Sequence, residues 1–385
     1  MHPTRELVCA LPTVHSVSES VAAFREIYGL FTPDEWLDNT ERTLMVFEAI
    51  ARYRPDLIGV GIRLNVQINL VLRTYREYVG EDQPTLSEVW GRGQIGCFAL
   101  TESKAGVLSG MQVDIQFREV TDYLLICETQ DIRKEYISQA TVADSVLLFA
   151  SNVDNPRDVR VLMVPQSKLS IEPRHDWVRQ TIPGLDLGTI SFPHDVPLHH
   201  STILTRTTPA SRMDILRGIV HGRICIARSV LAALLGMVDH CERWINGLSA
   251  LSECIYRIRE DAEMLLTQVR RATRDSTNVE RVSAAKVRAV ESAMVWYQEL
   301  AYHFTTHALA YPLRFEHLVV NKVAEGDTTV LRLFLLARTK RQGILAMLRR
   351  LGVARTMYCL FGERAVYKHP QYITEPLVDY WLQDR

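Results

Sequence analysis

Gly91-Arg92-Gly93-Gln94-Ile95-Gly96-Cys97-Phe98-Ala99-Leu100-Thr101-Glu102 is the stretch on which the reading of the fold turns. Its first six residues satisfy GxGxxG by their letters. A dinucleotide-binding turn, however, needs a strand before it and a helix after it, so that the helix N-terminus meets the pyrophosphate. Here the apolar run Cys97 to Leu100 follows the glycines directly and predicts a strand. The stretch therefore marks a change of texture, with helical periodicity before it and short strands after it.

On the N-terminal side, from about Ser18 to Val89, apolar residues such as Leu44, Val46, Phe47, Ile50 and Ala51 recur at three- and four-residue spacing. A helix is expected to begin near Glu41, with Asp34, Asp38 or Asn39-Thr40 available as caps, and another near Leu64 to Tyr78. On the C-terminal side, runs at Ile95 to Leu100, Gly110 to Phe117, Asp122 to Cys127, Ser145 to Ala150 and Val159 to Val164 alternate with turn formers. Pro165, Pro173, Pro183, Pro193 and Pro197 punctuate the second half of this β segment, as loops and edge strands require. Beyond Pro209 the helical period returns over Met213 to Ile245, Ser249 to Arg274, Val279 to Tyr311 and Asp327 to Leu351. Helices, then strands, then helices argue for segregated layers and against a parallel α/β sheet. The expected division is an N-terminal helical domain over 1–92, a central β domain over 93–208 and a C-terminal helical bundle over 209–385.

At 385 residues the chain is long enough to bury a substantial core across two or three domains. With 47% hydrophobic and 23% charged residues, the composition is that of an ordinary globular protein. Lys+Arg 44 against Asp+Glu 45 gives a net charge of -1, which supplies no field favouring nucleic acid. The seven cysteines lack CxxC spacing and several sit in apolar runs, as expected of reduced residues in a cytoplasmic protein. The start, Met1-His2-Pro3-Thr4-Arg5-Glu6, has no basic region followed by an apolar run, and the apolar stretch from Ser229 to Val238 is too short to cross a bilayer. No membrane span is expected.

Candidate metal and ligand residues are sparse. His303 and His307 sit four apart on an expected helix, but a catalytic zinc needs a third ligand, so no metal is expected. His194-Asp195 and His199-His200 have no GxSxG partner and are read as loop histidines. Arg217 and His221, one helical turn apart, are read either as ligand-phosphate contacts or as an ion pair or solvated face.

Two strings more than two hundred positions apart carry a family resemblance: Gly96-Cys97-Phe98-Ala99-Leu100-Thr101-Glu102 and Glu325-Gly326-Asp327-Thr328-Thr329-Val330-Leu331. Together they resemble the flavin-edge strand and catalytic-glutamate segment of the acyl-CoA oxidase and dehydrogenase family. The resemblance runs from about Ser18 to Arg341. A third string, Arg133-Lys134-Glu135-Tyr136-Ile137-Ser138, is similar to the family's lysine, x, tryptophan, isoleucine, serine/threonine pattern. Gly184-Leu185-Asp186-Leu187-Gly188 and Val196-Pro197 resemble the close of its β domain. Arg243-Trp244-Ile245-Asn246-Gly247 keeps the ends of an Arg-x-Gln-Phe-Gly motif whose arginine reaches the flavin pyrophosphate of a neighbouring subunit.

The resemblance implies a mainly α fold with a central β domain, acyl-CoA dehydrogenase-like, with a middle β-barrel. It implies FAD, held by Phe98, Leu100, Thr101, Tyr136, Ser138, Arg243 and Thr306. Glu325 would be the base that removes the α-proton of an acyl thioester, a task that burial equips a carboxylate to perform. The substrate would be an acyl-CoA or an acyl-carrier protein, and the assembly a homodimer or tetramer. The strings around Phe98 and Glu325 look closer to oxidases than to dehydrogenases, and specialised biosynthesis is the expected setting.

The chain also departs from the family pattern. Gly106-Val107-Leu108 replaces a Gly-Ser-Asp or Gly-Ser-Asn, Thr305-Thr306 stands where a Gly-Gly pair is usual, and Ala324 replaces a tyrosine. Two competing readings therefore stand beside the first. One is a flavin-free member of the fold catalysing a non-redox reaction such as proton transfer or cyclisation. The other is a silent subunit that completes the site of an active paralogue.

Overall fold

The computed structural model describes residues 3–14, 16–54, 57–80, 83–100, 113–121, 123–127, 129–173, 184–192, 195–199, 203–204, 212–245, 249–273 and scattered helical positions between 282 and 299. Its contacts divide the chain into two compact units. The first comprises Met1–Cys9, Phe47–Ile58 and Ile224–Arg385, and the second Ala10–Val46 and Gly59–Arg223.

The N-terminal third is helical: α1 (Pro3–Ala10), α2 (Val17–Tyr28), α3 (Pro33–Asp38), α4 (Thr40–Tyr53), α5 (Ile58–Asn65), α6 (Arg73–Tyr78) and α7 (Leu86–Trp90). Ser16, Thr32 and Thr85 start α2, α3 and α7 with reciprocal capping boxes to Glu19, Glu35 and Glu88. Each box satisfies two donors that a helix start leaves open. For α4 the cap is Asn39, whose Oδ1 accepts the Arg42 N–H at 3.1 Å. The helix expected over Leu64 to Tyr78 begins earlier, and its middle, Val66–Leu72, is wound as a π-helix between α5 and α6.

Strands follow: β1 (Gly96–Ala99), β2 (Gln116–Val120), β3 (Tyr123–Ile126), β4 (Thr129–Ser138), β5 (Ser145–Asn152), β6 (Val159–Pro165), β7 (Ser170–Pro173), β8 (Leu187–Phe192) and β9 (Val196–Leu198). Among the described residues they form a six-stranded sheet, ordered β1-β5-β2-β3-β9 with β6 on β5, and a three-stranded sheet ordered β4-β8-β7. Strand β5 is the core of the larger sheet. Val146 to Ala150 are fully buried, as an unbroken apolar run with sheet neighbours on both edges should be. Strand β4 is bulged against β8, with register shifts between Thr129 and Lys134 and between Lys134 and Ile137. Such insertions bend a strand and turn its side chains out of strict alternation.

Helices return in α8 (Arg212–Ile245) and α9 (Ser249–Thr273), close to the spans their periodicity predicts. In the first unit, Glu48 on α4 receives both Arg228 of α8 and Arg270 of α9. Arg228 is 1% exposed, so Glu48 is the counter-charge without which it would be a bare buried cation. Asp239 of α8 is bound in the same way by Arg52 and Arg259.

In the second unit, the π-helical segment packs on β1 at Gly96. A Cβ at Gly96 would stand 2.5 Å from Val71 Cγ1 and 3.0 Å from the Trp90 ring, both buried. Gly96→Ala is accordingly expected to destabilise the protein by about 1–3 kcal/mol, the usual cost of overpacking a filled core, read as a lowered urea midpoint with unchanged slope.

Candidate functional site

The peptide groups of Gly96 leave the sheet. The Gly96 N–H donates to Gln67 Oε1 at 2.8 Å, and its carbonyl accepts from Gln139 Nε2 at 2.9 Å, both in buried surroundings. Strand backbone alternates with a period of two, so Phe98 and Leu100 present their main-chain groups on the same edge as Gly96. On the opposite edge, Ile95 bonds Asp144 and Ser145 at the start of β5. Because β1 ends the sheet order, the Gly96-Phe98-Leu100 edge carries no neighbouring strand among the described residues.

Two contacts steady this edge. The Phe98 ring sits edge-on to Phe149 at 5.1 Å. Lys134 of β4, fully buried, donates from Nζ to the Leu100 carbonyl at 3.4 Å.

Gln139 is the pivot between β1 and β4. It follows Ser138 with φ +71°, left-handed for a residue that has a Cβ, a conformation that costs about 1–2 kcal/mol. Its bonds hold it there: its N–H donates to the Asp186 carbonyl at 3.0 Å, and its Oε1 accepts from Arg63 Nη1 at 3.4 Å. Arg63 also donates from Nη2 to the Gly184 carbonyl at 3.1 Å. Burial pulls the Arg63 guanidinium down to about 10, and the nearby Asp186 carboxylate opposes that shift. Asp186 accepts the Thr141 N–H at 3.0 Å and the Thr141 hydroxyl at 2.5 Å.

Of the residues singled out in the sequence, Phe98 lies in β1 and Leu100 just beyond it, both half-buried. Ser138 is the last residue of β4, half-buried and adjacent to Gln139. The packing of β1 on β4 and the Gln139–Gly96 bond bring these three into one region. Tyr136 lies on β4 and Arg243 near the end of α8, but the side chains of both are outside the described residues, as are Thr101, Thr306 and Glu325 altogether. His303 and His307 are also outside them. Gly91 to Gly96 leads into β1 with no helix after it, as the sequence requires. Among the described residues no group of His, Cys, Asp and Glu could hold a metal ion, and no helix is long and apolar enough to cross a membrane.

Sequence reasoning missed Arg63, Gln67 and Gln139. Arg63 and Gln67 are four apart in a run whose other members are nearly all apolar, and that is the signal that could have found them: polar groups on a buried helix need partners. Gln139 gave no such signal, since its role depends on a left-handed turn that glutamine does not advertise. A second polar row was also passed over: Asn65, Asn69 and Arg73, with His221 of α8.

No family model matches the chain, and no curated protein matches it. Solved structures do. A butyryl-CoA dehydrogenase from Megasphaera elsdenii superposes with a TM-score of 0.64 at 14% identity, over 88% of this chain and 99% of that one. An FAD complex of PigA gives 0.63 at 13% identity, over 91% and 96%. A glutaryl-CoA dehydrogenase from Mycobacterium smegmatis, in complex with FADH2, gives 0.59 at 16% identity, over 78% and 81%. The chain therefore has the acyl-CoA dehydrogenase fold, mainly α with an inserted β region.

Two measurements test the polar framework. Gln139→Leu removes a buried donor and acceptor while keeping the strained backbone and is expected to cost about 3 kcal/mol. Gln139→Gly loses the same amide but relieves the left-handed strain and should be milder by about 1 kcal/mol, both read from denaturant unfolding. His221 is the second case: burial, then the charges of Arg73 and Arg76, lower its pKa from 6.5 to about 4. Its contribution is fully present above pH 6.5 and is lost as pH falls through about 4, because the unfolded chain binds the proton first. In His221→Asn the fall in unfolding midpoint across that window should be shallower than in the parent protein.

Proposed function

We propose that this protein is an FAD-dependent enzyme that desaturates the α,β-bond of an acyl thioester, carried by coenzyme A or an acyl-carrier protein. The observation that carries the reading is the open edge of β1, with Phe98, Leu100 and Ser138 drawn to one place by the Gln139–Gly96 bond. A flat ring with a polar rim fits such an edge: strand N–H and C=O groups meet the rim, and half-buried apolar side chains meet the faces. The flavin-bound titles among the structural neighbours support the same reading.

In this proposal Phe98 and Leu100 present main-chain groups to the flavin ring, and Thr101 and Ser138 add hydroxyls. Tyr136 supplies an aromatic face, and Thr306 and Arg243 lie toward the phosphates, Arg243 in a neighbouring subunit's site. Lys134 fixes the Leu100 carbonyl and so the direction in which the strand leaves β1. FAD, when bound, supplies the two-electron acceptor for the β-hydrogen of the acyl group. Glu325 takes the α-proton on its carboxylate, in a pocket dry enough to raise its basicity. We further propose an oxidase-like electron acceptor, a homodimer or tetramer, a cytoplasmic setting in specialised biosynthesis, and the domain division 1–92, 93–208 and 209–385.

The visible spectrum of the purified protein tests the cofactor. One flavin per chain, released and identified as FAD, is the expected result. A colourless protein that does not take up added FAD would overturn the reading in favour of a non-redox reaction, which the altered Gly106-Val107-Leu108 and Thr305-Thr306 strings favour. Glu325→Gln tests the base. It should retain flavin and the unfolding midpoint yet lose substrate-induced flavin bleaching by at least about 100-fold, the usual scale of a lost general base. Unchanged bleaching would remove Glu325 from the mechanism.

A further inference from the structure

The helix from Ile58 to Tyr78 runs through buried apolar residues, yet Asn65, Asn69 and Arg73 form a polar row along it. Arg73 fixes how the row is oriented. A guanidinium only donates, so its Nε bond at 3.4 Å requires the Asn69 oxygen. Asn69 must then donate from Nδ2, which it does to Asn65 Oδ1 at 2.9 Å. Both amide oxygens are engaged inside the row, so the row as a whole is donor in character, cationic at Arg73 and neutral at the Nδ2 of Asn65.

Facing it is the start of α8. Gly222 lies opposite Asn65, and a Cβ built there would meet nothing nearer than Asn65 Oδ1 at 3.5 Å and Nδ2 at 3.6 Å, so this side of Asn65 has room. His221, beside it, has a buried Nδ1 without a hydrogen-bond partner. Arg76 on α6 adds a second positive charge near His221 and pairs with Asp38 at 2.6 Å. Arg223, half-buried, is the next cation along α8. The π-helical winding of Val66–Leu72 sets the phase between Asn65 and Arg73, and such windings are frequent at functional sites.

We infer that Asn65, Arg73 and His221 form a recognition site for the carboxylate of a small molecule. Two planar donors suit a planar acceptor, and one guanidinium balances one negative charge. The inference stands on the second unit alone and is independent of the flavin reading.

The test uses the full-length protein as purified, with histidine labelled in the imidazole ring and the His221 resonance assigned through His221→Asn. Sodium glutarate, inorganic phosphate, glutaryl-CoA and butyryl-CoA are each titrated in at constant ionic strength. The expected result is a saturable shift of the His221 resonance and a rise in its pKa with glutarate or glutaryl-CoA, since a bound carboxylate offsets Arg73. Apparent affinity should fall about tenfold in Arg73→Met, the scale of one charge-assisted hydrogen bond. Gly222→Leu, which fills the space and leaves every donor in place, should abolish the shift, with circular dichroism confirming that both variants fold.

A stronger response to glutaryl-CoA than to glutarate, with none to butyryl-CoA, assigns the carboxylate to the far end of an acyl thioester. Equal responses to glutarate and glutaryl-CoA assign it to a free carboxylate. No response to either, a response only to phosphate, or shifts unaltered in folded Arg73→Met and Gly222→Leu would overturn the site. Since neither flavin nor turnover is read, such a failure leaves the acyl-thioester proposal standing. A colourless protein that still answers to glutarate separates the two in the other direction.

Discussion

The peptide group of Gly96, gripped on its N–H by Gln67 and on its carbonyl by Gln139, is the constraint on which the second unit depends. Two neutral amides inside a core are costly unless their donors and acceptors are met. Once met, they fix distances that apolar packing alone leaves adjustable. Gln67 ties β1 to the π-helical segment, and Gln139 ties it to the end of β4, so one glycine joins a helix and two sheets. Side chains larger than hydrogen are shut out by Val71 and Trp90, which is why the residue between the two amides is glycine.

Arg63 extends the same grip. Its guanidinium is almost wholly buried and faces carbonyl and amide oxygens, with Asp186 as the nearby counter-charge. This arrangement holds Gln139 in a left-handed turn that its own preferences oppose. The strain is local and sits one residue beyond Ser138, the position that the sequence marks as a cofactor contact. In the first unit Glu48 plays a comparable part for α4, α8 and α9, using charge where the second unit uses amides.

Most of the fold was legible in the sequence. Strand β5 declared itself as an apolar run between turns, and α8 and α9 showed their periodicity nearly to the residue. The π-helical segment was not legible, because Val66 to Leu72 reads as ordinary buried helix whichever way it is wound. The candidate site was legible only in part. Phe98, Leu100 and Ser138 were found through strings, which record side-chain identity. Gln67 and Gln139 were not found, because their importance lies in what they do for another residue's backbone. Asn39 shows the same limit on a smaller scale, since three neighbouring polar residues offered a cap and geometry chose one.

The π-helical winding also bears on how this helix tolerates changes of length. A π turn holds more residues than an α turn, so deletion of one residue within Val66–Leu72 would let regular α-helix form and rotate everything beyond it by about 100°. Arg73 would leave its row with Asn65 and Asn69, and Tyr75 would leave the Trp90 ring, which it now meets edge-on at 6.0 Å. A shorter helix would thus be locally more regular and globally out of phase. The segment behaves as a spacer whose residue count, more than its composition, is under constraint.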